Sequence, residues 1–127
     1  MKIEHFAFNV QEPSKMAAWY IENMGLEVVR RFGGAADTHF LGDKSGCVML
    51  EIYNNPPEEV PDYKNMDPLL IHLAFVSDDP GKDMERLLKA GASLVEELRL
   101  DDGSYLIMMR DPWGLAIQLC KRARPMI

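Results

Sequence analysis

The sequence predicts an α+β fold built from two βαβββ modules, and three observations carry that prediction. The chain repeats itself: Ile3-Glu4-His5-Phe6-Ala7-Phe8 returns as Ile71-His72-Leu73-Ala74-Phe75. With His5 placed on His72 the offset is 67; Ala7 then falls on Ala74, Phe8 on Phe75, Glu12 on Asp79, Pro13 on Pro80 and Glu51 on Gln118. Each copy leads into a helix opened by Pro and closed by Gly, Pro13 to Gly25 and Pro80 to Gly91. Those are the helix positions where a missing N–H and a left-handed backbone cost least. Each helix is followed by three short apolar runs separated by turn residues, which is the strand signal. A pseudo-twofold axis relating the modules would curve two four-stranded sheets around a central cavity, with helices on the outer faces.

The elements follow in order. Residues 2–10 alternate as a strand, with Ile3, His5, Ala7 and Asn9 on one face and Phe6, Phe8 and Val10 on the other. Glu12 lies at the cap of the first helix, whose apolar side is Met16, Ala17, Trp19, Tyr20 and Met24. Residues 26–32 form a second strand, 38–41 a short third and 47–53 a fourth, with Cys47, Met49, Glu51 and Tyr53 on one face. The stretch 54–67 is acidic and holds three prolines, the composition of a linker or a lid. Module 1 thus covers about 1–54, the linker 55–67 and module 2 about 68–121 of a single domain, 1–127.

Module 2 opens with a strand over 69–77, placing Leu70, His72, Ala74 and Val76 on one face. Asp78 and Asp79 cap the helix from Pro80 to Ala90. Strands over 93–100 and 104–110 flank the hairpin turn Asp101-Asp102-Gly103. The turn Asp111-Pro112-Trp113-Gly114 leads to a closing strand with Ala116, Gln118 and Cys120 on one face. The basic tail from Lys121 to Ile127 reads as partly ordered.

Composition bounds the function. The 127 residues are enough for one domain with a sizeable core. Fourteen Lys and Arg against 20 Asp and Glu leave a net charge of −6, which disfavours nucleic acid, because phosphate neutralisation needs clustered cations. No apolar run approaches the about 20 residues that span a bilayer, so no membrane partner is expected. Glu4 and His5 interrupt the place where a signal peptide needs an apolar core. Cys47 and Cys120 make no disulfide framework and no Cys-x-x-Cys pair. The expectation is a cytoplasmic, reduced protein. Its nine Met residues read as flexible core filler.

The repeat places His5, Glu51, His72 and Gln118 at matched positions, on the first and last strands of the two halves. Two imidazoles and a carboxylate bind Zn, Ni, Co, Mn or Fe at about 2.0–2.2 Å, with a Gln carbonyl oxygen as a weaker fourth ligand. A lone His on a half-apolar strand is more often a hydrogen-bonded core residue. Glu51, however, sits among Cys47, Val48, Met49, Leu50 and Ile52, where an unpaired charge is costly. His39 has no counterpart in the repeat and reads as structural or substrate-facing.

These motifs, with Asn23-Met24-Gly25-Leu26, Leu50-Glu51-Ile52 and Arg110-Asp111-Pro112-Trp113-Gly114 leading to Gln118, resemble the vicinal oxygen chelate superfamily. That superfamily includes glyoxalase I, methylmalonyl-CoA epimerase, extradiol dioxygenases, and fosfomycin and bleomycin resistance proteins. The resemblance covers nearly the whole chain. It implies a divalent metal held by one residue from the first and last strands of each module: His5, Glu51, His72 and Gln118 here. It also implies a homodimer, with the site within one chain or shared across the interface. Bacterial glyoxalase I is similar in ligand pattern but has a carboxylate where this chain has Gln118. A neutral amide accepts no proton at pH 7, which leaves Glu51 as the one catalytic base of the set.

Three functions stay open. The first is a metal-dependent lyase or isomerase of the glyoxalase type, acting on a small substrate that chelates the metal (Zn, Ni, Co or Mn) through vicinal oxygens, with the developing enediolate stabilised by Lewis-acid action. The second is a non-catalytic protein that binds a small molecule or an antibiotic, as bleomycin resistance proteins do. The third, an extradiol-type dioxygenase, needs Fe and a carboxylate where Gln118 stands. Arg31, Arg99 and Arg110 are candidates for neutralising an anionic substrate, against the plainer reading of solvated strand charges. Tyr53, Tyr105 and Cys120 are candidates for lining the cavity.

Overall fold

A computed structural model of the chain describes residues 1–126. The chain divides into two compact units, Met1–Pro61 and the residues from Asp62 onward, and the division falls inside the acidic stretch 55–67. The first unit holds β1 (His5–Asn9), α1 (Pro13–Met24), β2 (Glu27–Phe32), β3 (Thr38–Gly42), β4 (Met49–Tyr53) and a 3-10 turn at Pro57–Glu59. The second holds β5 (Leu73–Val76), α2 (Pro80–Lys89), β6 (Ser93–Arg99), β7 (Tyr105–Arg110) and β8 (Ala116–Lys121). Each unit carries one four-stranded sheet, in the orders β1-β4-β3-β2 and β5-β8-β7-β6. The α+β class and the βαβββ plan of each half are therefore as the sequence predicts.

In the first sheet β1 runs parallel to β4, and β3 pairs antiparallel with both β4 and β2. Side chains alternate across the pleat, so the register separates two faces. Phe8, Leu50, Ile52, His39 and Leu41 lie beneath α1 and are buried there with Met16, Ala17 and Tyr20. His5, Ala7, Met49, Glu51, Phe40 and Gly42 share the opposite face.

Helix α1 stops where expected: Gly25 has φ 69°, a left-handed backbone that favours glycine. Its start is held differently from the expectation. Glu12 makes no side-chain cap bond. Asp37 does that work from a distant loop, accepting from Ser14 N at 3.1 Å and also from the Ser14 hydroxyl.

The second sheet repeats the plan. Ile107, Met109, Ile117, Leu119 and Leu87 are buried on the α2 side. Asp79 caps α2 by accepting from Lys82 N. Gly103, at φ 90°, closes the hairpin with its N–H on Leu100 O. The Asp111–Gly114 turn closes with Gly114 N on Asp111 O at 3.0 Å. In the tail, Ala123 N donates to Ser104 Oγ at 3.0 Å, so the chain stays tethered past Lys121; Ile127 lies outside the described residues.

One strand boundary is corrected. The first strand of module 2 begins at Leu73, not at residue 69, so His72 stands just ahead of β5. Asp67 takes the preceding residues into a turn, accepting Leu69 N on its carboxylate at 2.9 Å and Leu70 N on its carbonyl at 3.0 Å. β2 is not a regular strand, because a bulge between Val28 and Arg30 shifts its register. Val28 faces Leu41 on the helix side, whereas Arg30 faces Phe40 on the open side. The extra residue turns Arg30 onto the face it would otherwise miss. β6 has the same irregularity between Leu94 and Glu96.

Candidate functional site

Each unit presents one half of the predicted ligand set. In the first, β1 and β4 lie side by side, and Glu51 pairs in register with Ala7, one pleat on from His5. His5 Nε2 stands 3.4 Å from Glu51 Oε2, with the two side chains 33% and 22% exposed. The other ring nitrogen, His5 Nδ1, is 2.9 Å from Glu4 Oε2. A carboxylate on Nδ1 orients the ring and turns Nε2 toward Glu51, the usual support of a metal-binding imidazole. Phe40 packs edge-on against the His5 ring, centroids 5.5 Å apart, and limits its rotation.

In the second unit His72 Nδ1 is 2.9 Å from Pro68 O. A carbonyl accepts only from N–H, so His72 Nδ1 is the donor of this hydrogen bond. Gln118, on β8, pairs with Ala74 and with Met108. Its Oε1 accepts the Cys120 thiol at 3.2 Å. Burial pushes the Cys120 thiol above its ordinary value, which keeps it a neutral donor. Among the described residues no three His, Cys, Asp or Glu side chains form a metal cluster by themselves; each unit carries one pair. The donor chemistry fits a borderline divalent ion: two imidazole nitrogens, one carboxylate and one amide oxygen.

The other candidates sort by face. His39 is buried beneath α1, with Nδ1 on Asp37 O at 2.8 Å, and is structural. Arg31 pairs with Asp37 at 3.2 Å. Arg99 lies over the Tyr105 ring, 3.7 Å from its centroid. The Tyr105 hydroxyl bonds Glu97, which raises the phenol above its ordinary value. Arg110 donates to the carbonyls of Tyr63, Met66 and Gly114 at 2.7–2.9 Å, pinning residues 63–66 to the turn before β8. Each of the three arginines has a partner within its own unit. Tyr105 lies in register with Lys121, away from the Gln118 face, while Tyr53 shares the Glu51 face. The residues that sequence reading missed are Glu4, Pro68, Phe40 and Arg30. Phe40 comes beside Glu51 through the β3–β4 register, and Arg30 reaches that face through a bulge that no glycine marks.

Comparison with known proteins decides the family. The family model described as "Glyoxalase/Bleomycin resistance protein/Dioxygenase superfamily" matches residues 2–119. The chain belongs to this superfamily. Solved structures share its fold. TnmS3, an antibiotic binding protein from Streptomyces sp. CB03234, is 20% identical with a TM-score of 0.72, covering 94% of each chain. The E144Q mutant of glyoxalase I from Zea mays is 22% identical with a TM-score of 0.73, over 97% of this chain and 46% of that one. A lactoylglutathione lyase from Agrobacterium tumefaciens is 20% identical with a TM-score of 0.64, over 94% and 91%. Comparison with curated proteins finds no match.

Proposed function

We propose that this glyoxalase-superfamily chain is a metal-dependent lyase or isomerase whose small substrate presents two vicinal oxygens. One observation carries the proposal: His5 Nε2 and the Glu51 carboxylate meet at 3.4 Å on an open sheet face, with His5 Nδ1 held by Glu4. The ligand set is His5, Glu51, His72 and Gln118. A bound Zn, Ni, Co or Mn ion would polarise the substrate oxygens as a Lewis acid.

The protein's own residues do the rest. Glu4 and the Pro68 carbonyl orient the two imidazoles. Gln118 is neutral and accepts no proton, so the proton work falls to Glu51. Its carboxylate takes the hydrogen α to the substrate carbonyl and returns it to the neighbouring carbon, or to the other face of the same carbon. Phe40 shields that side of the site from water. The protein acts as a homodimer in the cytoplasm, where Cys47 and Cys120 stay reduced thiols.

The test is hydrogen exchange. Metal-loaded protein in D₂O should exchange the α-hydrogen of a chelating substrate, tried first with the hemithioacetal of methylglyoxal and with 2-acyl-CoA thioesters. Glu51→Gln should slow exchange about a hundredfold or more. Metal-loaded protein that binds such compounds without exchange would favour a binding role like that of the antibiotic binding protein TnmS3.

A further inference from the structure

The open face of the first sheet extends beyond the ligand pair, and the sequence motifs do not account for it. Arg30, Phe40, Glu51 and Ala7 lie in one row across β2, β3, β4 and β1. A continuous line of contacts runs along it. Arg30 Cζ lies 5.9 Å from the Phe32 ring centroid. Phe32 and Phe40 meet edge-on at 6.1 Å, and Phe40 meets His5 edge-on at 5.5 Å. One end of the line is the half-site of His5 and Glu51; the other is a guanidinium; the middle is aromatic.

Arg31 is paired with Asp37 and Arg110 with three carbonyls, whereas Arg99 lies over Tyr105 as Arg30 lies over Phe32. Among the described residues Arg30 has no carboxylate within ion-pair distance. The other charged residue of β2 on this face, Glu27, lies in register with Gly42, away from the Phe40 row. Arg30 reaches this face only through the bulge at Val29, and bulges recur where a strand must re-aim a side chain at a site.

We propose that Arg30 selects the substrate class: a small molecule with a chelating head at His5 and Glu51, an apolar middle over Phe40, and an anionic tail, a carboxylate or phosphate, on the guanidinium. Two strand spacings separate the Arg30 and Glu51 backbones, about 10 Å. The flexible Arg30 side chain brings the charge to within a few carbons of the chelating oxygens. A planar guanidinium binds a carboxylate through two parallel hydrogen bonds.

The inference rests on the metal reading above, and its test keeps the two apart. Wild-type and Arg30→Gln proteins are loaded with Ni²⁺ or Zn²⁺, and their metal content is measured by elemental analysis. Each is then titrated by calorimetry with two hydroxamates of equal length, N-hydroxysuccinamic acid with its carboxylate tail and butanohydroxamic acid with a neutral one. Wild type should bind the carboxylate compound about tenfold tighter. Arg30→Gln should keep its metal and bind the two alike. Metal-loaded wild type that binds both equally overturns the inference and leaves the metal reading standing, as does a preference that survives in Arg30→Gln. Wild type that retains no metal and binds neither compound overturns the metal reading, and this inference with it.

Discussion

At the scale of single residues, Asp37 shows how one side chain serves several others. Its backbone has φ 44°, a left-handed conformation that Asp and Asn tolerate better than most residues. From there its carboxylate bonds Ser14 at the start of α1 and Arg31 on β2, and its carbonyl bonds His39. The Ser14 hydrogen bond, then the Arg31 guanidinium, hold the Asp37 carboxyl below its ordinary value. A carboxyl whose folded pKa is depressed stabilises the fold above its unfolded pKa and loses that contribution as pH falls through the folded value. Wild type should therefore lose melting temperature as pH drops below about 4. Asp37→Asn keeps the backbone preference and removes the charge. It should melt lower at neutral pH and converge on wild type in acid. Parallel pH dependences for the two proteins would remove Asp37 from this role.

At the scale of elements, the turn before β8 binds residues 62–67 to the second sheet. Arg110 supplies three hydrogen bonds and Tyr63 is buried. Gly114 makes the approach possible, with φ 92° and a position where an added Cβ would lie 2.6 Å from Lys64 Cα. Gly114→Ala should cost about 2 kcal/mol or more, read as a fall in denaturation midpoint; an unchanged midpoint would show that the 62–67 segment yields freely. This element also shows what a sequence conveys. The repeat, the Pro and Gly helix ends, and the strand parities that put Glu51 and Gln118 on the sheet faces away from the helices were all legible, because they depend on local spacing. Residues 62–67 read as linker, because what fixes them is an arginine more than forty residues away. Arg30 was hidden by a bulge with no turn residue to announce it, and Asp37 by a cap contributed from another loop. His72 was legible as a ligand type but not in place, since the Asp67 turn consumes the residues that read as strand.

At the scale of the whole molecule, large apolar side chains stand exposed in both units. Phe6, Val28 and Phe32 are each 51% exposed in the first; Val76 is 83% and Leu69 78% exposed in the second. The proposed homodimer is tested by mass. Light scattering should give twice the chain mass of 14.4 kDa; a monomer at every concentration would contradict it. No described helix is long and apolar enough to cross a membrane.

In the proposed function His5, Glu51, His72 and Gln118 hold one metal ion. Elemental analysis of untagged protein tests it most directly, with His5→Ala and His72→Ala measured alongside. About one Zn, Ni, Co or Mn per wild-type chain is expected, lost in either variant. Wild-type protein that takes up no metal even after adding it back, or variants that retain it in full, would contradict the account.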